Sequence, residues 1–249
     1  MSKIQASTHW LYGIHAVEAA WCNPKRRCLR LLTSEAHLAK RLMAQMPRKI
    51  EISETNTRGL EARLGDVVHQ GIALEVEALP EQYLEPFLEE HKATDPLTLA
   101  VLDHIIDPHN VGAILRSATA FGVHGLIITQ DHTAPLTGVV AKSACGALDK
   151  IPIITVVNLA QSLRILKAAH IWCVGLAADA PQSLMQLPDF GRVAYVFGAE
   201  GKGLRPNTQK QLDTTASIPM AKGMESLNVS NAAAITLYQR FVHNPKSHF

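Results

Sequence analysis

The chain has 249 residues, 47% of them hydrophobic and 18% charged, with a formal net charge of +2 and a pI near 8.4. This is the make-up of an ordinary globular protein, long enough for one large domain or two modest ones. The charge is too mild to announce nucleic acid by itself, the start MSKIQASTHW lacks the apolar core of a secretory leader, and no apolar run reaches bilayer length.

Within an expected first domain of residues 1–79, residues 10–78 alternate helical and strand-like patterns. Leu11, Ile14, Val17 and Ala20 trace one helix face. Leu29, Leu31 and Leu32 suggest a strand, residues 37–46 a second helix, and residues 50–52 and 71–79 two further strands. Together they predict a small α/β unit. Its cations Lys25, Arg26, Arg27 and Arg30, followed by Lys40, Arg41, Arg48 and Lys49, read as either a solvated face or a patch that grips phosphates. Residues 80–96, acidic and bounded by prolines, read as a linker with one helical turn.

From residue 97 to 249 the pattern is strand–loop–helix. LTLAVLDHI, GLIIT, residues 151–157, IWCVGLAA and VAYVFG are strands, with helices over AILRSATAF and residues 159–169. Apolar strands alternating with helices predict an α/β domain whose parallel sheet is covered on both faces and whose ligands bind at the carboxyl ends of its strands. The loops after Ile105, Phe197 and Ile218 then converge on one edge. Cys22, Cys28, Cys145 and Cys173 have no CxxC spacing, which fits reduced thiols in a cytoplasmic protein.

Those three loops hold most of the chemistry-bearing residues. In IPMAKGMESLNVSNAAAITL (218–237) the second half has helical periodicity, while Ser226, Asn228, Ser230 and Asn231 crowd the point where a helix needs caps. Four polar residues exceed what one cap requires, so the segment is a candidate site. Asp107 and Asn110 suit turn and cap positions, and Arg116, six residues on, suits a helix surface. Gly198-Ala-Glu-Gly-Lys-Gly-Leu follows a strand but matches neither the Walker A loop nor GxGxxG, and Glu200 lies between its glycines. Asp103, His104, Asp107 and His109 are possible metal ligands, yet Asp103 and His104 face opposite ways on a continuing strand, and HExxH is absent. A GxSxG nucleophile elbow is absent too.

Taken together, DPHNVGAILRSATAFG, VFGAEGKGL and IPMAKGMESLNVSNAAAI, in this order and spacing, resemble the three signature motifs of the SpoU (TrmH-like) class of SPOUT RNA methyltransferases. YGIHAVEAA and VHQGIALEVE resemble the two ends of the L30e-like RNA-binding domain of the branch that includes large-subunit (23S) rRNA guanosine 2′-O-methyltransferases. In KSACGALDK, Cys145 and Asp149 are small variations on that family's pattern. The resemblance implies a C-terminal trefoil knot, a rare exception to unknotted topology. It also implies S-adenosylmethionine as methyl donor and an obligate homodimer; no metal is expected. It assigns Asn110, Arg116, Glu200, Ser226 and Asn228 to catalysis, and the backbone at Gly198, Ile218 and Leu227 to the donor. Lys25, Arg26, Arg27 and Arg30 become the expected RNA contacts.

The reaction so implied is in-line attack of a ribose 2′-oxygen on the sulfonium methyl, which specifies RNA over DNA. The family proposal makes the arginine, here Arg116, the base. A guanidinium stays protonated in almost any site, so a role in holding the phosphate or the developing alkoxide is physically easier. A tRNA ribose methyltransferase and an inactive RNA-binding relative are the alternatives.

Overall fold

The computed structural model describes residues 8–244; residues 1–7, most of the start lacking a leader core, lie outside them. The chain folds as two compact units. Among the described residues, the first runs up to Pro80 and also takes in Pro135–Lys150, and the second holds Glu81–Ala134 and the chain from Ile151 onward.

The first unit is built on β1 (Thr8–Tyr12), α1 (Ile14–Cys22), β2 (Cys28–Thr33), α2 (Ala36–Gln45), β3 (Glu51–Glu54), α3 (Thr57–Leu64) and β4 (Ile72–Glu77). Its mixed sheet has the order β1-β4-β2-β3. Leu11, read above as part of a helix face, belongs instead to β1, which pairs antiparallel with β4 from Thr8↔Glu77 to Tyr12↔Ala73. The turn at Gly13 (φ 86) separates that strand from α1. The helix α3 had no counterpart in the periodicity. It starts where Asn56 accepts a hydrogen bond from the Gly59 N–H at 2.9 Å, and it buries Leu60 completely.

The second unit begins inside the expected linker. Leu84–Glu90 forms a two-turn helix, α4, because Leu84, Phe87 and Leu88 recur at i, i+3 and i+4 and are buried in the core. Then come β5 (Leu97–Asp103), α5 (Pro108–Ala120) and β6 (Gly125–Thr129). The chain next enters the first unit, where α6 (Gly138–Ser143) forms, and returns for β7 (Ile153–Val156). The remainder is α7 (Leu159–Ala168), β8 (Trp172–Leu176), β9 (Arg192–Gly198), α8 (Pro206–Gln209), β10 (Thr214–Ala216) and α9 (Val229–His243). All six strands are parallel, in the order β10-β8-β9-β5-β6-β7, as expected of an α/β sheet. The chain moves outward from β5 through β6 to β7, then crosses to the other side for β8 and β9. The order therefore switches between β5 and β9, where such sheets open a crevice at their carboxyl ends.

Two arginines fasten these units internally. In the first unit Arg26, 2% exposed, donates through Nε (2.8 Å) and Nη2 (3.0 Å) to the two oxygens of Asp149, and through Nη1 to the Glu77 carbonyl (3.1 Å). Asn23 also donates to Asp149, at 3.0 Å. The sequence variation at Asp149 is thus half of a buried ion pair that ties Pro135–Lys150 to the unit. In the second unit the buried Arg240 of α9 bonds Thr98 Oγ1, the Gly191 carbonyl and Asp189, which pins the C-terminal helix to the sheet.

Candidate active site

Three parallel strands, β5, β9 and β10, deliver the site. The end of β5 leads to Asp107, whose side chain accepts from the His109 N–H at 2.9 Å and caps α5, with Pro108 in its first turn. The helix therefore starts five residues earlier than the periodicity predicts and carries Asn110 on its first turn. The end of β9 enters a tight loop in which the Gly203 N–H bonds the Ala199 carbonyl at 2.8 Å. Gly198 is required there, since a Cβ would lie 2.3 Å from the Gly203 carbonyl carbon. That loop presents Glu200. After β10 the chain runs to Asn228, the N-cap of α9, whose Oδ1 accepts from the backbone of Ser230 (2.9 Å) and Asn231 (3.4 Å) and from the Ser230 hydroxyl (2.6 Å).

Asn110, Glu200 and Asn228 meet there. Asn110 Nδ2 donates to Asp107 Oδ2 and to Glu200 Oε1, both at 3.1 Å. Asn228 Nδ2 donates to Asn110 Oδ1 at 3.0 Å and to the same Glu200 Oε1. Each amide has both its oxygen and its nitrogen engaged, which fixes its orientation. Glu200 Oε1 takes two donors, and Oε2 has no protein partner among the described residues.

Beside this cluster lies a cavity of about 580 Å³. Leu176, Phe197, Ile218, Leu227 and Val229 give it apolar walls, Gly198 and Gly203 expose backbone to it, and Ser226, Glu200 and Asn228 line its polar side. Among the described residues, Glu200 and Glu225 are its charged lining residues, and no Lys, Arg or His lines it. The expected donor contacts Gly198, Ile218 and Leu227 therefore share one cavity with three of the five expected catalytic residues. Sequence reasoning missed Leu176, Met220 and Glu225 there; acidic Glu225, one residue before Ser226, was the available signal. Arg116 stands apart. It is exposed on α5 and makes no hydrogen bond or ion pair among the described residues. Six helical residues place it about 9 Å along the axis from Asn110 and on a different face.

The family model described as SpoU rRNA Methylase family matches residues 98–238. The chain belongs to this family. A second SpoU model, RNA 2′-O ribose methyltransferase substrate binding, matches residues 10–82. A curated SpoU-type relative, the 23S rRNA (guanosine-2′-O-)-methyltransferase RlmB of Escherichia coli K12, is 40% identical over 234 residues, covering 92% of this chain and 96% of its own. Among solved structures, the SpoU methyltransferase AviRb of Streptomyces viridochromogenes, in complex with the cofactor AdoMet, has a TM-score of 0.82 at 23% identity, covering 96% of this chain and 91% of that one. The TrmH/SpoU tRNA modifying enzyme of A. aeolicus has a TM-score of 0.54 at 23% identity, covering 66% of this chain and 86% of its own.

In this SpoU-family chain the expected RNA patch needs correction. Arg26 is buried against Asp149 and cannot reach a phosphate. Arg27 and Arg30 pair with Glu77 (2.9 Å) and Glu75 (3.1 Å), which leaves Lys25 without a carboxylate partner among the described residues. Arg48 donates to the carbonyls of Trp21, Asn23 and Arg26, closing the end of α1. The metal reading also finds no support, since Asp103 is bonded to Arg205 and Asp107 to Asn110. Among the described residues no three His, Cys, Asp or Glu side chains converge.

Proposed function

We propose that this chain transfers a methyl group from S-adenosylmethionine to a ribose 2′-hydroxyl of RNA, with a guanosine of 23S rRNA as acceptor. The observation that carries this is the Asn110–Glu200–Asn228 cluster at the wall of a mostly apolar cavity whose charged lining is acidic. Its volume lies within the range of ligand sites. Its carboxylates suit a cationic sulfonium, and the apolar walls suit an adenine. The 40% identity to RlmB over nearly the whole chain supports the rRNA guanosine reading. The A. aeolicus tRNA enzyme covers only two thirds of this chain, which favours it over tRNA.

S-adenosylmethionine supplies a methyl that is already activated, because a neutral thioether leaves. Gly198, Ile218 and Leu227, which line the cavity, would hold the donor, leaving the protein to orient the acceptor. Asn110 and Asn228 hold Glu200 through Oε1, which leaves Oε2, without a partner among the described residues, as the acceptor for the hydroxyl proton. Ser226 orients the ribose. Arg116, exposed and on a different helix face from Asn110, holds a phosphate of the bound RNA.

We read α9 as the face that meets a second copy, since Ile235, Tyr238 and Val242 project apolar surface from it into solvent. We further read residues 218–243 as the threaded arm of the trefoil knot, and the protein as cytoplasmic. No described helix is long and apolar enough to cross a membrane.

The test is transfer of labelled methyl from S-adenosylmethionine to total RNA, offered free and as ribosomal particles, then separated by class. Label in 23S rRNA that disappears in Asn228→Ala is expected. Label in tRNA would keep the chemistry and change the substrate. No label in any pool overturns the activity.

A further inference from the structure

A second cavity, of about 340 Å³, adjoins the first and shares Ala199 and Gly203 with it. The reaction derived above leaves its walls unused. Asp103, fully buried at the end of β5, accepts from the backbone N–H of Arg205 at 3.0 Å and from its Nε at 2.6 Å. A buried carboxylate with both oxygens on one arginine holds that guanidinium in place. The two terminal nitrogens of Arg205 keep no partner among the described residues. Lys202, exposed on the same loop, has none either. His104 also lines this cavity, and its ring packs on that of His132 with centroids 4.6 Å apart. Both histidines have left-handed backbone, φ 60 in each, a conformation that costs a residue with a Cβ and that a protein keeps where the side chain must be aimed.

From this geometry we infer that the second cavity is the subsite for an RNA nucleotide neighbouring the methyl acceptor, with its base on the His104–His132 pair and its phosphate on Arg205 and Lys202. The inference rests on the RNA methyltransfer reading above. Stacking on an aromatic ring beside a basic groove is how single-stranded RNA is held without strict base readout. A rigidly held guanidinium with two free nitrogens matches two phosphate oxygens. Burial, and then the Arg205 charge, hold the His104 imidazole below its ordinary pKa, so it offers a neutral ring. The shared residues put the subsite next to the donor cavity, where a strand presenting its 2′-hydroxyl to Glu200 must continue.

The full chain is tested for binding to protein-free 23S rRNA across a salt series and for KM and kcat in methyl transfer, with S-adenosylmethionine affinity measured in parallel. His104→Gly is expected to weaken rRNA binding about tenfold. The loss falls on KM rather than kcat, and the melting temperature holds or rises because left-handed strain is removed. Lys202→Gln is expected to lower the salt slope by about 0.7 to 1. Unchanged rRNA affinity and salt slope in both variants overturn the subsite. So does a loss of donor affinity as large as the loss of RNA affinity, which would make the second cavity part of the donor site. The methyltransfer reading fails differently, through an unaltered chain that labels no RNA, and in that case the binding measurements still decide the subsite.

Discussion

In the first unit Arg26 and Asp149 are shut from solvent with each charged group engaged, whereas in the second unit Glu200 and Asn228 stand exposed at a cavity with one carboxylate oxygen left over. Both clusters join a carboxylate to nitrogen donors from distant parts of the sequence. Saturation separates them. A buried pair with no spare capacity holds structure and has nothing to offer a ligand, while a cluster that orients its own amides and leaves Oε2 open is built for one.

That contrast can be broken by experiment. The largest effect is expected for Asp149→Ala, which strands the buried Arg26 charge and should cost about 3–5 kcal/mol of stability, read from chemical unfolding. A loss below about 1 kcal/mol would show that water reaches Arg26 and that the pair is not structural. Glu200→Gln keeps an acceptor for both asparagines but removes the carboxylate. It should lower single-turnover methyl transfer about a hundredfold while the unfolding midpoint hardly moves. A folding defect of the size seen for Asp149→Ala would erase the distinction between the clusters.

Acid should act next, and selectively. His9 lies beside the Arg26–Asp149 pair, and burial, followed by the Arg26 charge, lowers its pKa below the ordinary 6.5. The unfolded chain then binds a proton that the folded unit resists, so stability falls as pH drops through 6.5. Unfolding midpoints at pH 7.5 and 5.5 should differ more for the native chain than for His9→Phe. Equal differences would remove His9 as a cause. The smallest effect is expected from neutralising Lys25 and Arg27 together, a few-fold loss in rRNA affinity with a flatter salt dependence. If both stay the same, that face is only solvated.

Much of the second unit could be read directly because its strands are nearly all apolar and its loops are not. β5, β6 and β9 appear close to their final bounds; the strand pattern predicts that the loops holding Asn110, Glu200 and Asn228 converge, and the resemblance picks out these three residues. What stayed hidden was non-local or short. The three-residue β10 has no period to detect, and α4 looked like a linker because its three apolar residues sit among glutamates. The basic cluster misled because formal charge says nothing of partners. Arg26 looks like its neighbours until Asp149, 123 residues away, is beside it.

The segment Pro135–Lys150 lies in the sequence between β6 and β7 yet belongs to the first unit. The unit is therefore not a module that can be cut out at Pro80. Its buried Arg26 finds its carboxylate only in residue 149, which is 123 residues further along the chain. A gene fragment encoding only residues 1–82 carries the matched substrate-binding region but not the carboxylate that pairs with Arg26. Moving this unit into another protein would require transplanting two separate stretches of chain.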